Sequence, residues 1–224
     1  MTGSEVLDKP RPRIPPGWPP DEGGGGDDGG GGDGGGHRPP PGGEGPALGR
    51  LGTVLVMVSV TVIFLTFLAT YLIMRLEARE WPPPGAPALP AGMWVSTAVI
   101  ALSGFTASRA RTRQRGHRHA AFMTWTAVTF ALGLLFCAMQ ATFWGELLQR
   151  GLRLSGTEYA RNFFTLTALH VAHVIGGLVY LAVCLARGVS GPGRPSRDTV
   201  DNCMLYWHFV GGVWFLLFAV LWFF

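Results

Sequence analysis

Asn162 to Tyr180 reads NFFTLTALHVAHVIGGLVY, inside a run from Asn162 to Ala186 that holds no Asp, Glu, Lys or Arg. A run of that length crosses a bilayer as an α-helix. Its two histidines, His170 and His173, are three positions apart and so share one helix face. Gly176 and Gly177 follow within a turn and let a neighbouring helix come close. A polar face beside a small-residue face predicts a helix packed inside a bundle, not one bathed in lipid.

Four more apolar runs flank it. They cover about 51–74, 91–108, 120–145 and 202–224, and each is free of charged side chains except at its ends. The first would be about 36 Å long as a helix. Only 14% of the residues are charged, low for a soluble domain. The expected fold class is therefore all-α: a five-helix transmembrane bundle over 48–224, with helices at about 51–74, 91–108, 120–145, 162–186 and 202–224. The loops between runs are short, which predicts that consecutive helices lie side by side, antiparallel.

Residues 1–47 differ in kind. They hold sixteen Gly and ten Pro, including GGGGDDGGGGDGGG at 23–36. Such a segment has too little apolar area to offset its ordering entropy, so a disordered tail is expected. Residues 1–46 carry net charge −4 and the remainder +8. A basic balance can signal nucleic acid, but these arginines sit between apolar runs, so no nucleic-acid partner is expected. Their distribution sets orientation instead. Nine arginines (50, 109, 111, 113, 115, 118, 187, 194 and 197) fall on the side of the N-terminal tail and five (75, 79, 150, 153 and 161) on the other. The positive-inside rule then predicts a cytoplasmic N-terminus and an outside C-terminus. Cys137, Cys184 and Cys203 form no CxxC pair and read as small buried hydrophobes.

The run at 162–180 is similar to the signature helix of subunit III of the haem–copper oxidases, FF-x-x-x-G-x-H-G-x-H-V-x-x-G. The last run opens YWHFVGGVW at Tyr206–Trp214, which resembles that family's closing YWHF-x-D-x-VW. WPPPGAPALP at 81–90 resembles the loop at this place in many bacterial members. The likeness runs from about Leu51 to Phe224, in the short five-helix form. It implies a non-catalytic subunit of a terminal oxidase that passes electrons from cytochrome c to O₂ while pumping protons, in a bacterial plasma (inner) membrane. Haem and copper would belong to partner subunits I and II, with no cofactor, metal or catalytic residue in this chain, and membrane phospholipid as a further partner. Within the same family, the alternatives are a quinol oxidase subunit III or an accessory subunit of a nitric oxide reductase.

The resemblance also marks residues. His170, His173, His208, Trp207, Gly176, Gly177, Gln140, Glu146 and Tyr159 match or lie near family motif positions, and are expected to serve helix packing or lipid contact. The histidines are expected to hydrogen-bond between helices four and five or to lipid headgroups. Two positions depart from the family. Thr61 falls where the first helix of the five-helix core has an acid, and Gly211 replaces the Asp of the closing motif. Three intramembrane histidines also admit a different class, an independent haem- or metal-binding membrane protein. No carboxylate or thiolate is expected at their depth to complete such a site. Trp81, Trp94, Trp144 and Trp207 are expected near the membrane interfaces, as an aromatic belt.

Overall fold

Apolar runs of this length satisfy their backbone groups internally, and five helices result: α1 (Pro46–Glu77), α2 (Gly92–Arg115), α3 (His119–Gln149), α4 (Glu158–Val189) and α5 (Arg197–Phe223). The computed structural model describes residues 46–153, 156–189 and 195–223. The tail expected over 1–47 lies outside them except for its last two residues, as do the Gly/Pro breakers at 191–193. Among the described residues all regular structure is helical. The serine and threonine hydroxyls Thr53, Ser59, Thr61, Thr66 and Thr70 of the apolar first helix each donate to the carbonyl four residues back, removing the cost of an unpaired hydroxyl in hydrocarbon.

Every helix overruns its apolar run at one end at least. The clearest case is α2, expected to stop at Ser108 and helical to Arg115. The stretch read as a basic loop is thus mostly the last two turns of a helix. Charge does not end a helix; a change of backbone conformation does. His117 sits at φ 55°, and the His117 and Arg118 amides close back onto Gln114 and Arg113, a Schellman stop. Gly151, at φ 94°, ends α3 likewise, with the Gly151 and Leu152 amides on Leu148 and Leu147. The starts of α4 and α5 are capped by hydroxyls: Thr157 Oγ1 accepts from the Ala160 amide and Ser196 Oγ from the Thr199 amide, each with an acid in the first turn where the helix dipole favours it.

Four helices, all but α2, are long and apolar enough to cross a bilayer. The α2 helix falls short because its last turns carry Arg109, Arg111, Arg113 and Arg115, and because Ser96, Thr97, Ser103 and Thr106 form its buried face. The outward surfaces are apolar: Leu55, Val58 and Val62 on α1, Leu134 and Leu135 on α3, Val179 on α4 and Phe215 on α5 are all exposed. Helices hydrophobic all round belong in a membrane, and the chain is an integral membrane protein.

The expected order of neighbours holds for α2–α3, α3–α4 and α4–α5. It fails for α1, which packs on α4 and α5 and makes no close backbone approach to α2 among the described residues. The Pro-rich connection at 78–91 carries the chain past α5 instead of folding it straight back. The stripe Val60, Phe64, Leu68 and Tyr71 is the buried face of α1 and joins a core with Phe163 and Leu166 of α4 and Leu217 of α5. A second core joins α2, α3, α4 and α5 around Phe136, Leu178, Leu181, Met204 and Trp207.

Candidate functional site

His170 of α4 packs against rings from α1, α3 and α5. It is 0% exposed. Its ring is 5.2 Å from that of Trp214 in α5, 5.8 Å from Phe136 in α3 and 6.2 Å from Phe64 in α1. Trp214 packs edge-on against Phe136 at 4.9 Å, and its indole N–H donates to Thr97 Oγ1 of α2 at 3.0 Å. Neither ring nitrogen of His170 has a hydrogen-bond partner among the described residues. Where a hydrogen bond from His170 across α4 and α5 was expected, the ring instead packs against Phe64, Phe136 and Trp214.

The other two histidines are separate. His173 is half-buried, with Nδ1 2.7 Å from the Leu169 carbonyl of its own helix and its ring 5.5 Å from Phe64. It reaches α5 only through its backbone, whose carbonyl accepts from the Tyr206 hydroxyl at 3.3 Å. His208 is not interior: it is exposed on the outside of α5, with Nε2 3.0 Å from Ser108 Oγ of α2. The three imidazoles therefore do not converge, and no three His, Cys, Asp or Glu side chains among the described residues could hold one metal ion.

A second node forms around Trp207, which is buried rather than at an interface. A Cβ on Gly133 of α3 would come within 2.6 Å of its ring, and one on Gly177 of α4 within 2.9 Å. The indole fills both gaps and donates to Ser103 Oγ of α2 at 3.2 Å. Of the glycine pair, Gly177 carries the close approach; a Cβ on Gly176 would meet the Tyr206 hydroxyl at an ordinary 3.6 Å. Polar contacts then tie α2 to α3: Gln140 Nε2 donates to Ser96 Oγ at 3.4 Å, and the Thr106 and Thr129 hydroxyls lie 2.8 Å apart.

The residues at the centre of both nodes, His170, Gly177, Trp207 and Trp214, come from the stretches at 162–180 and 206–214, and comparison with known proteins matches a region that includes both. The family described as cytochrome c oxidase subunit III matches residues 47–224. A cytochrome c oxidase subunit 3 from Synechocystis sp. is 33% identical over 78% of this chain and 75% of its own length. A probable cytochrome c oxidase subunit 3 from Mycobacterium bovis is 29% identical over 80% and 89%, and the protein of that name from Branchiostoma lanceolatum is 34% identical over 76% and 67%. The chain belongs to the cytochrome c oxidase subunit III family. It is a subunit III of a haem–copper oxidase, so it works in a complex with other oxidase subunits.

The remaining positions singled out in this subunit III have contacts of their own outside the two nodes. Glu146 is half exposed and ion-paired with Arg150 one turn on. Tyr159 is buried in an aromatic group, 5.1 Å from Trp81 and 6.2 Å from Tyr71. Thr61 and Gly211 border two grooves on either side of α5, the first against α1 and the second against α2. At both positions this subunit III has a small uncharged residue beside a groove on the outside of the bundle.

One ion-pair cluster escaped the sequence reading. Asp201, in the second turn of α5, accepts from Arg111 Nε at 2.6 Å and from Arg115 at 2.7 Å, locking the basic end of α2 to the start of α5. The signal was present in the four-residue spacing of the arginines, which puts both on one helix face once α2 is known to extend that far. Ser103, to which the Trp207 indole donates, carried no individual signal.

Proposed function

We propose that the chain is a non-catalytic subunit III of a proton-pumping terminal oxidase that takes electrons from cytochrome c and reduces O₂ to water. Subunits I and II are its partners, and they carry the haem and copper. The carrying observation is the His170 node. The signature histidine of the family is held by rings from α1, α3 and α5, with no open face where a substrate or ligand exchanges. The named relatives, all cytochrome c oxidase subunits, support the choice of electron donor.

In this reading residues 48–224 form one membrane domain of five crossings, with α2 as the second. The charge-free part of α2 is short, but its serines and threonines face α3 and α5 rather than lipid. The arginine distribution supports a cytoplasmic N-terminus and an outside C-terminus in a bacterial plasma membrane. His170, Trp207, Gly177 and Gln140 hold the bundle together, while His173, Tyr159, Gly176, Glu146 and His208 work at its edges and ends. With Thr61 and Gly211 in place of acids, no carboxylate among the described residues lines the grooves on either side of α5, which supports a stabilising role over proton guidance.

The test is substitution in the assembled oxidase. His170→Ala and His208→Ala are expected to weaken retention of the chain on the complex while the haem difference spectrum per catalytic subunit stays unchanged. Loss of a haem or copper signal from either variant would make the histidines ligands and contradict the proposal.

A further inference from the structure

Two of the three cysteines, read singly as small hydrophobes, are brought together by the packing of α4 on α5. On α4, His170, Gly177 and Cys184 repeat every seven residues and so share one face. Each meets α5 on that face. His170 meets Trp214, Gly177 meets Trp207, and Cys184 meets Cys203, one turn before Trp207. Both thiols are free, at 0% and 1% exposure, and belong to one core cluster. Cys184 is five residues from the end of α4 and Cys203 six from the start of α5, so the pair lies about 8 Å along the helix from the bundle's basic end.

We propose that Cys184 and Cys203 form a reversible disulfide under hydrogen peroxide, stapling the histidine helix to the closing helix. Helix ends open locally at little cost, and one such opening admits an uncharged molecule as small as peroxide. One sulfur attacks a peroxide oxygen, the O–O bond breaks, and one oxygen leaves as water while the other stays as a sulfenic acid. The second sulfur attacks the first and displaces that oxygen as water. Two thiols and one peroxide thus give one disulfide and two waters, with two electrons passing from sulfur to peroxide. In the orientation proposed above this end is cytoplasmic, where thiols rest reduced and disulfides are transient. The resting state follows from that orientation; the bridge itself needs only the α4–α5 packing, whichever subunits accompany the chain.

The test uses the full chain with whatever assembles on it, in native membranes, with and without hydrogen peroxide. Denaturation in N-ethylmaleimide then blocks free thiols, and trypsin leaves Cys184 in 162–187, Cys203 in 198–224 and Cys137 in 119–150. Mass spectrometry of the wild type should show peroxide abolishing maleimide labelling of Cys184 and Cys203 together. Their two peptides should appear joined, two hydrogens lighter than their sum, and separate again with dithiothreitol. Cys184→Ser and Cys203→Ser should each abolish the joined peptide. Continued labelling of both cysteines after peroxide overturns the proposal, as does a bridge to Cys137 or to a second chain. A link already complete before peroxide makes the bridge permanent and overturns the switch. Co-purified haem plays no part in these readings, so they can fail while the oxidase assignment stands.

Discussion

At His170 three rings from three helices close around an imidazole whose two nitrogens meet no donor or acceptor among the described residues. A buried polar group left unpaired costs about 1–3 kcal/mol, so the side chain stabilises the bundle by filling space. His170→Phe keeps a ring of similar size without that cost, and should leave the detergent melting temperature unchanged or higher. His170→Ala removes the ring and should cost about 2–4 kcal/mol, the range for emptying a packed site. If Phe melts as low as Ala, a polar role for the imidazole has been missed. The glycines give a matched pair. Gly177→Ala forces a methyl to within 2.9 Å of Trp207 and should cost about 1–3 kcal/mol by overpacking. Gly211→Ala meets nothing within 4 Å and should melt like the wild type. Thermal unfolding of the two variants side by side checks both.

Helix ends are where reading from residues alone falls short. An apolar run marks the part of a helix that lipid can tolerate, and the hydrogen-bond ladder continues into the polar zone until a left-handed residue or a cap stops it. His117 and Gly151 are such stops, and only the glycine announces itself by residue type. Hence the five runs at 51–74, 91–108, 120–145, 162–186 and 202–224 find every helix but miss the basic end of α2 and the acidic start of α5, which lie together. Asp201 holds two arginines of α2 there, all three side chains partly exposed. Exposed pairs contribute about 0–1 kcal/mol each and are screened by salt. Asp201→Asn should therefore lower stability by about 1 kcal/mol in dilute buffer and by less in molar salt. A loss that salt does not reduce would mean that the pairs are not the cause.

For the molecule as a whole, the histidine helix and the closing motif could be read from the sequence because their residues sit at fixed spacings within one helix. The neighbours of α1 could not, because loop length limits which helices meet without choosing among them; α1 turns its Phe64 stripe to α4 and α5. Nor could spacing separate the three histidines, whose fates are decided by which helix faces each one. The bundle that results has an aromatic and small-residue interior, an apolar exterior and no convergent metal ligands among its described residues. In the proposed function, the chain serves the redox chemistry of partner subunits and performs none itself. The most direct measurement is affinity capture of the tagged full chain from native membranes in mild detergent, with a reduced-minus-oxidised spectrum and mass spectrometry of the product. We predict that a large haem–copper subunit co-purifies and carries all of the haem. A chain that comes out alone with stoichiometric haem or metal would contradict the account.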